Sequence, residues 1–270
     1  MTTTRDILVV DDEDVITSAV ERVCGAEGLS VDAAANATDG LARMLRTTYR
    51  LVVCDVMMTE VDGFAFLAEL ARRQDRTPVI MSTGMSTMEN AVRAVNSGAI
   101  DFVPKPFTAD ELIAAVRRGL RYARLQADAT AMAGAHGTRP DSLVWVPCPA
   151  QYYRLGYASW LATERTGSVK VGVTDLFMKT LDTLQSIHLA EPGDEVVQGA
   201  SCATLTGADG LEHGLMCPVT GHILEANDAL VKAPTAVERD PYFEGWMYRV
   251  LPSELQYDLK HLTACSSDRM

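Results

Sequence analysis

Leu51-Val52-Val53-Cys54-Asp55 decides how the first half of this 270-residue chain folds. Four apolar residues, two of them β-branched, end on a carboxylate. So short a run, with no polar alternation, predicts a strand buried on both faces and therefore a parallel sheet. An acid at the carboxyl end of such a strand stands in the crevice where open α/β sheets bind ligands. Three more runs repeat the pattern. Ile7-Leu8-Val9-Val10 ends on Asp11-Asp12-Glu13-Asp14, Pro78-Val79-Ile80-Met81-Ser82 on Thr83-Gly84, and Ile100 to Val103 on Pro104-Lys105-Pro106. Leu29 to Ala33 is a fifth, short strand.

Between the strands the apolar period changes to that of a helix. Val15, Ile16, Ala19, Val20 and Val23 mark the first helix, running to about Ala26. Leu41, Met44 and Leu45 follow a cap at Thr38-Asp39. Phe64, Leu67, Leu70 and Ala71 face inward on the third, and Met88, Val92 and Val95 on the fourth. Leu112, Val116 and Leu120 follow a cap at Thr108. Five strand-helix units with short loops give a parallel sheet covered on both faces. In such a sheet all carboxyl ends point the same way, so Asp11, Asp12, Asp55, Thr83 and Lys105 converge. Clustered carboxylates repel and call for a hard divalent cation with oxygen ligands, for which Mg²⁺ is suited. A carboxylate can act as a nucleophile toward phosphorus, while a cation, an ammonium and a hydroxyl take up the charge of the transferred group.

With these residues in hand, positions 5–122 resemble the receiver domain of two-component response regulators. The matching stretches are Val9-Val10-Asp11-Asp12-Glu13, Asp55-Val56-Met57-Met58 with Asp62-Gly63, Ser82-Thr83-Gly84 and Gly98 to Phe107. The resemblance implies a flavodoxin-like sheet in the order 2-1-3-4-5 and Asp55 as phosphorylation site. It implies Asp11, Asp12, Asp55 and the Met57 carbonyl as Mg²⁺ ligands, and Thr83, Lys105 and Phe102 as the switch residues. It also implies a cis Lys105–Pro106 bond and a sensor histidine kinase or phosphotransfer protein as partner; a second copy joined through the receiver is a further candidate partner, with the oligomeric state left open. Thr59 departs from the family, which usually carries Pro there. Plainer roles compete at some positions. Cys54 reads as a small buried hydrophobe, Phe102 as core if no switch operates, and Met81, Met85 and Met88 as filler. Glu13 and Asp14 complement the dipole of the first helix, with a metal role as the alternative for Glu13.

Residues 125–142 shift to Ala, Gly, Thr and Asp without apolar period, which predicts a flexible joint, with His136 solvated, between a domain at 1–124 and another at 143–270. The first part of the joint extends the preceding helix through Arg121, Arg124 and Leu125. Beyond it the helical period mostly disappears. Ser168 to Thr174 alternates as a strand, Leu176 to Leu184 suits a short helix, and Ser253 to Leu262 another. Cys202 to Thr206 and Leu211 to Met216 flank Gly207-Ala208-Asp209-Gly210, a hairpin signal. Many short strands predict a β-rich sandwich or flattened barrel.

The order of these pieces resembles the H protein of the glycine cleavage system, a lipoyl-carrier fold. Val171 to Asp175, Pro192-Gly193-Asp194-Glu195-Val196, Cys217-Pro218-Val219-Thr220-Gly221, Asn227 to Val231 and Asp240 to Trp246 carry the likeness over about 152–262. In that family a Lys at the hairpin tip carries lipoate. Counting back from Pro218 puts that position at Gly210, and no Lys lies between Lys179 and Lys232. The resemblance therefore implies a carrier fold without lipoate, reused as a docking surface.

The formal charge of −12 argues against nucleic acid and anionic membranes as partners. Six scattered cysteines without a Cys-x-x-Cys, and no visible secretory leader, point to reduced thiols and a cytoplasmic protein. The expected function is a non-enzymatic two-component response regulator whose second domain acts through protein contacts. The alternative is a lipoyl-type carrier subunit switched by phosphorylation.

Overall fold

The computed structural model describes residues 3–59, 61–84, 87–134 and 144–265. The chain divides into two compact units. In the first, strands β1 (Thr3–Val10), β2 (Val31–Ala34), β3 (Thr47–Asp55), β4 (Val79–Thr83) and β5 (Asp101–Pro104) alternate with helices α1 (Asp14–Ala26), α2 (Ala37–Met44), α3 (Gly63–Arg72), α4 (Met88–Asn96) and α5 (Ala109–Gly134). The sheet order is β2-β1-β3-β4-β5 and every pairing is parallel.

The apolar runs form the centre of this sheet. Ile7, Leu8, Val10, Leu51, Val52, Cys54, Ile80 and Met81 are fully buried. Cys54 is thus the core residue expected of it, and Phe66 and Leu67 of α3 pack over the same cluster. Register sets the strand ends level: Val10 pairs with Cys54, Asp55 with Ser82, and Thr83 with Pro104. Gly63 lets α3 start hard against the end of β3, since a Cβ there would lie 2.2 Å from the Asp55 carbonyl oxygen and 2.7 Å from Met81 Cε.

Local chemistry corrects three sequence expectations. The cap of α2 is Asn36, whose side chain accepts from the Asp39 amide at 2.9 Å, not Thr38-Asp39. β3 begins at Thr47 because Tyr49 is buried and its hydroxyl donates to Asp32 at 2.8 Å. α5 starts where expected, on a reciprocal cap between Thr108 and Glu111. It then runs to Gly134, so 125–134 is helix rather than joint, as its alanines favour. His136 and the rest of the predicted joint lie outside the described residues, as does Met85. Met81 is core, whereas Met88 is exposed.

The second unit is antiparallel. Its strands are β6 (Tyr153–Leu155), β7 (Ser159–Thr163), β8 (Val169–Val173), β9 (Leu184–Leu189), β10 (Glu195–Val196), β11 (Ser201–Gly207), β12 (Glu212–Met216), β13 (Gly221–Ala226), β14 (Trp246–Pro252) and β15 (Thr263–Ala264). They form a seven-stranded sheet, β10-β13-β14-β8-β7-β6-β15, and a three-stranded one, β12-β11-β9. Short helices α6 (Asp175–Thr180), α7 (Asp228–Lys232), α8 (Ala236–Arg239) and α9 (Leu255–Asp258) connect them. The helix expected over 176–184 stops at Thr180. Leu181 is extended, and β9 begins at Leu184 with Leu184 and Ile187 buried. The helix expected over 253–262 is shorter and passes into a single 3₁₀ turn at Leu259–His261. Trp160 lies fully buried across Gly172, where a Cβ would come within 2.5 Å of its ring, and its indole donates to the Val173 and Pro241 carbonyls at 2.9 and 3.1 Å. All six cysteines are free and buried.

Candidate functional site

Each polar group that follows an apolar run is held where its strand stops. Asp11 follows β1, is buried, and accepts the Glu13 amide at 3.0 Å. Asp55 closes β3, is 3% exposed, and accepts the Met57 amide at 2.9 Å. Lys105 follows β5, its own amide donating to the Thr83 carbonyl at 2.8 Å, and its bond to Pro106 is cis. Its Nζ reaches Asp11 Oδ2 at 2.7 Å and Asp55 Oδ1 at 2.9 Å. Carboxylate oxygens of Asp11, Asp12 and Asp55 all lie within 4.8 Å of one another. Asp12 is half-buried and accepts the Thr59 amide at 3.1 Å.

Asp11 and Lys105 answer to burial and to each other. Loss of water pushes the Asp11 carboxyl up, against the pull of the Lys105 ammonium. Burial alone lowers Lys105, but its bonds to Asp11 and Asp55 outweigh that and hold it above the ordinary lysine value, so it stays charged. One ammonium among three carboxylates leaves the pocket net negative. An all-oxygen acidic set of this kind fits a hard divalent cation such as Mg²⁺, with Asp11, Asp12 and Asp55 as its protein donors.

Thr83 is fully buried at the end of β4. Phe102 on β5, paired with Met81 of β4, is half-buried and packs against the core cluster. Its neighbour Asp101 bonds Arg118 of α5 at 2.5 Å in a nearly buried ion pair. Met57 is exposed at the mouth of the pocket. Gly210 sits in the turn between β11 and β12 with φ of 79°. The Gly207 amide closes that turn onto the Leu211 carbonyl, and Gly210 donates to Gly207, both at 3.0 Å. Sequence reasoning did not foresee one contact in the first site. Glu13 does more than complement a helix dipole, because its Oε1 lies 3.1 Å from Lys105 Nζ. Its only sequence signal is a third acid directly after Asp11-Asp12.

Comparison with known proteins finds two families in the chain. Residues 7–117 match the response regulator receiver domain family and residues 151–268 the glycine cleavage H-protein family. The first part of the chain is a receiver domain and the second an H-protein domain. Among curated relatives, the transcriptional regulatory protein DltR of Streptococcus agalactiae is 36% identical over 119 residues, covering 44% of this chain and 53% of that protein. The crystal structure of the receiver domain of NtrX from Brucella abortus is 39% identical, covering 43% of this chain and 98% of that one, with a TM-score of 0.42. The crystal structure of a glycine cleavage system H protein from Mycobacterium marinum is 29% identical, covering 44% of this chain and 94% of that one, with a TM-score of 0.40. This chain spans about half or less of the length of the curated relatives it matches. Among the described residues no helix is long and apolar enough to cross a membrane.

Proposed function

We propose that this chain is a two-component response regulator whose receiver takes a phosphoryl group on Asp55 and whose H-protein domain is the output. The observation that carries the reading is the bridge of Lys105 Nζ between Asp11 and Asp55, at 2.7 and 2.9 Å, in the acidic pocket. An Asp55 oxygen attacks phosphorus, the bond from phosphorus to the donor nitrogen or oxygen breaks, and the leaving group keeps the electron pair. Asp55 then carries a mixed carboxylic-phosphoric anhydride. Lys105 shifts its donors from the carboxylates to the phosphoryl oxygens, and the Thr83 hydroxyl turns to the same group. Asp11, Asp12, Asp55 and the Met57 carbonyl would hold Mg²⁺, which would supply countercharge for those oxygens. The vacated space beside Thr83 lets Phe102 change rotamer, which alters the outer surface of β5 and α4.

The phosphoryl donor in this reading is a sensor histidine kinase or a phosphotransfer protein. Output passes through protein contacts, with a second copy of the receiver as one partner, in a cytoplasmic protein that is not otherwise an enzyme. The domain limits we adopt are 1–124 and 143–270, with 125–142 between them, its first ten residues helical. An amide-linked lipoate requires an amine, and Gly210 offers none at the hairpin turn, so we assign no carrier role. The charge of −12 disfavours a DNA-binding role for the whole chain. Incubation with acetyl phosphate and Mg²⁺, followed by a phosphate-affinity gel, tests the acceptor. Wild type shifts and Asp55→Ala does not; an equal shift in both removes Asp55 from the role.

A further inference from the structure

We propose that Glu13 is a positioning residue that tethers the Lys105 ammonium in the unphosphorylated receiver and competes with the phosphoryl group for it. The proposal rests on the reading of Asp55 as acceptor.

Glu13 occupies the N-cap of α1, and its carbonyl accepts the Ile16 and Thr17 amides at 2.9 and 3.1 Å. A cap is normally Ser, Thr, Asp or Asn, whose short side chain folds back on the first-turn amides. Here the side chain makes no cap bond. It reaches Lys105 instead, 92 residues away in the chain, at 3.1 Å. The helix forgoes a good cap at this position, and such local misfits concentrate where a side chain has another task. The Glu13 backbone is held as well, since its amide donates to Asp11 Oδ1 at 3.0 Å.

An ammonium has three donors. On Lys105 they meet Asp11 at 2.7 Å, Asp55 at 2.9 Å and Glu13 at 3.1 Å, so the resting state uses the full set. Asp11 and Asp55 are drawn to a cation when one binds, and Asp55 loses a charged oxygen when it becomes the anhydride. Glu13, 61% exposed in its side chain, changes in neither event. It is therefore the partner that keeps its hold on Lys105 while the phosphoryl oxygens claim the same nitrogen. Breaking the tether frees the ammonium for the phosphoryl group. The attacked and broken bonds are those of the acceptor reaction itself, and no further reactant enters.

The test uses the full chain with acetyl phosphate and Mg²⁺ and compares wild type, Glu13→Ala, Glu13→Asp and Asp55→Ala. Two quantities are read: the initial rate of phosphorylation, and the lifetime of the phosphoprotein after the donor is removed. An exposed ion pair is worth up to about 1 kcal/mol, so Glu13→Ala should phosphorylate about two- to fivefold faster and hold the group longer by a similar factor. Glu13→Asp keeps the charge but is one methylene short of Lys105, so it should follow Glu13→Ala. If Glu13→Asp behaves as wild type, the effect is one of field on the anionic donor and the tether is overturned. Equal rates and lifetimes in wild type and Glu13→Ala overturn it too. An unlabelled wild type instead removes the Asp55 reading, which separates the two failures.

Discussion

Lys105 is the residue on which the receiver pocket turns. Two nearly buried carboxylates face each other across it, and without its charge they would be left uncompensated. Lys105→Met should therefore lower the stability of the metal-free receiver by about 3 kcal/mol in urea denaturation with chelator present, and added Mg²⁺ should restore part of the loss. A stability unchanged in chelator would mean that the carboxylates already share protons and the bridge matters little. Gly63 serves the same pocket by absence of a side chain. A methyl group there overlaps the Asp55 carbonyl and Met81, so Gly63→Ala should cost about 1–3 kcal/mol in the same measurement.

At the scale of elements, the strands fix the site from below. β1 is fastened to its neighbours by Asp6, which accepts the Ser30 amide at 2.9 Å and hydroxyl at 2.7 Å and pairs with Arg50 at 2.9 Å. The Ser30 amide first, then the Ser30 hydroxyl and Arg50, hold the Asp6 carboxyl below its ordinary 3.8 against the effect of burial. A lowered folded-state value gives stability that is full above the unfolded-state value and is lost as pH falls through the folded one. Stability of wild type relative to Asp6→Asn should thus fall as pH drops below about 4, read from denaturant midpoints; a constant difference would show that Asp6 is not titrating there. The continuation of α5 through 125–134 makes a second prediction. Ala127 is exposed, so Ala127→Pro should erase amide-exchange protection over this stretch, at about 3 kcal/mol, and leave β1 and β3 protected.

At the scale of the whole molecule, a signalling fold and a carrier fold share one chain, and the carrier chemistry turns on one position. With Gly210 at the turn, intact protein from a lipoylating host should carry no lipoyl mass increment. An increment mapped to any lysine of the second domain would restore the carrier alternative. The first half of the fold could be read in advance because buried parallel strands write themselves as uninterrupted apolar runs, each stopped by a polar group. The second half was read less well. Tyr153–Leu155 and Ser159–Thr163 are β strands in which neither run alternates cleanly, and Trp160 and Ala162 of the second pack with Tyr242 and Trp246. The end of α6 at Thr180 depends on β9 needing Leu184 and Ile187 inside, a demand set by β11.

The order of residues alone determined that Asp11, Asp12, Asp55 and Lys105 would stand at strand ends on one rim, because period and polarity are local properties that a parallel sheet converts into common direction. It also determined, by the missing lysine, that the hairpin has no amine to offer. Only the folded chain decided that Glu13 closes on Lys105, 92 residues away. That contact depends on side-chain reach across space, and spacing along a chain does not encode reach.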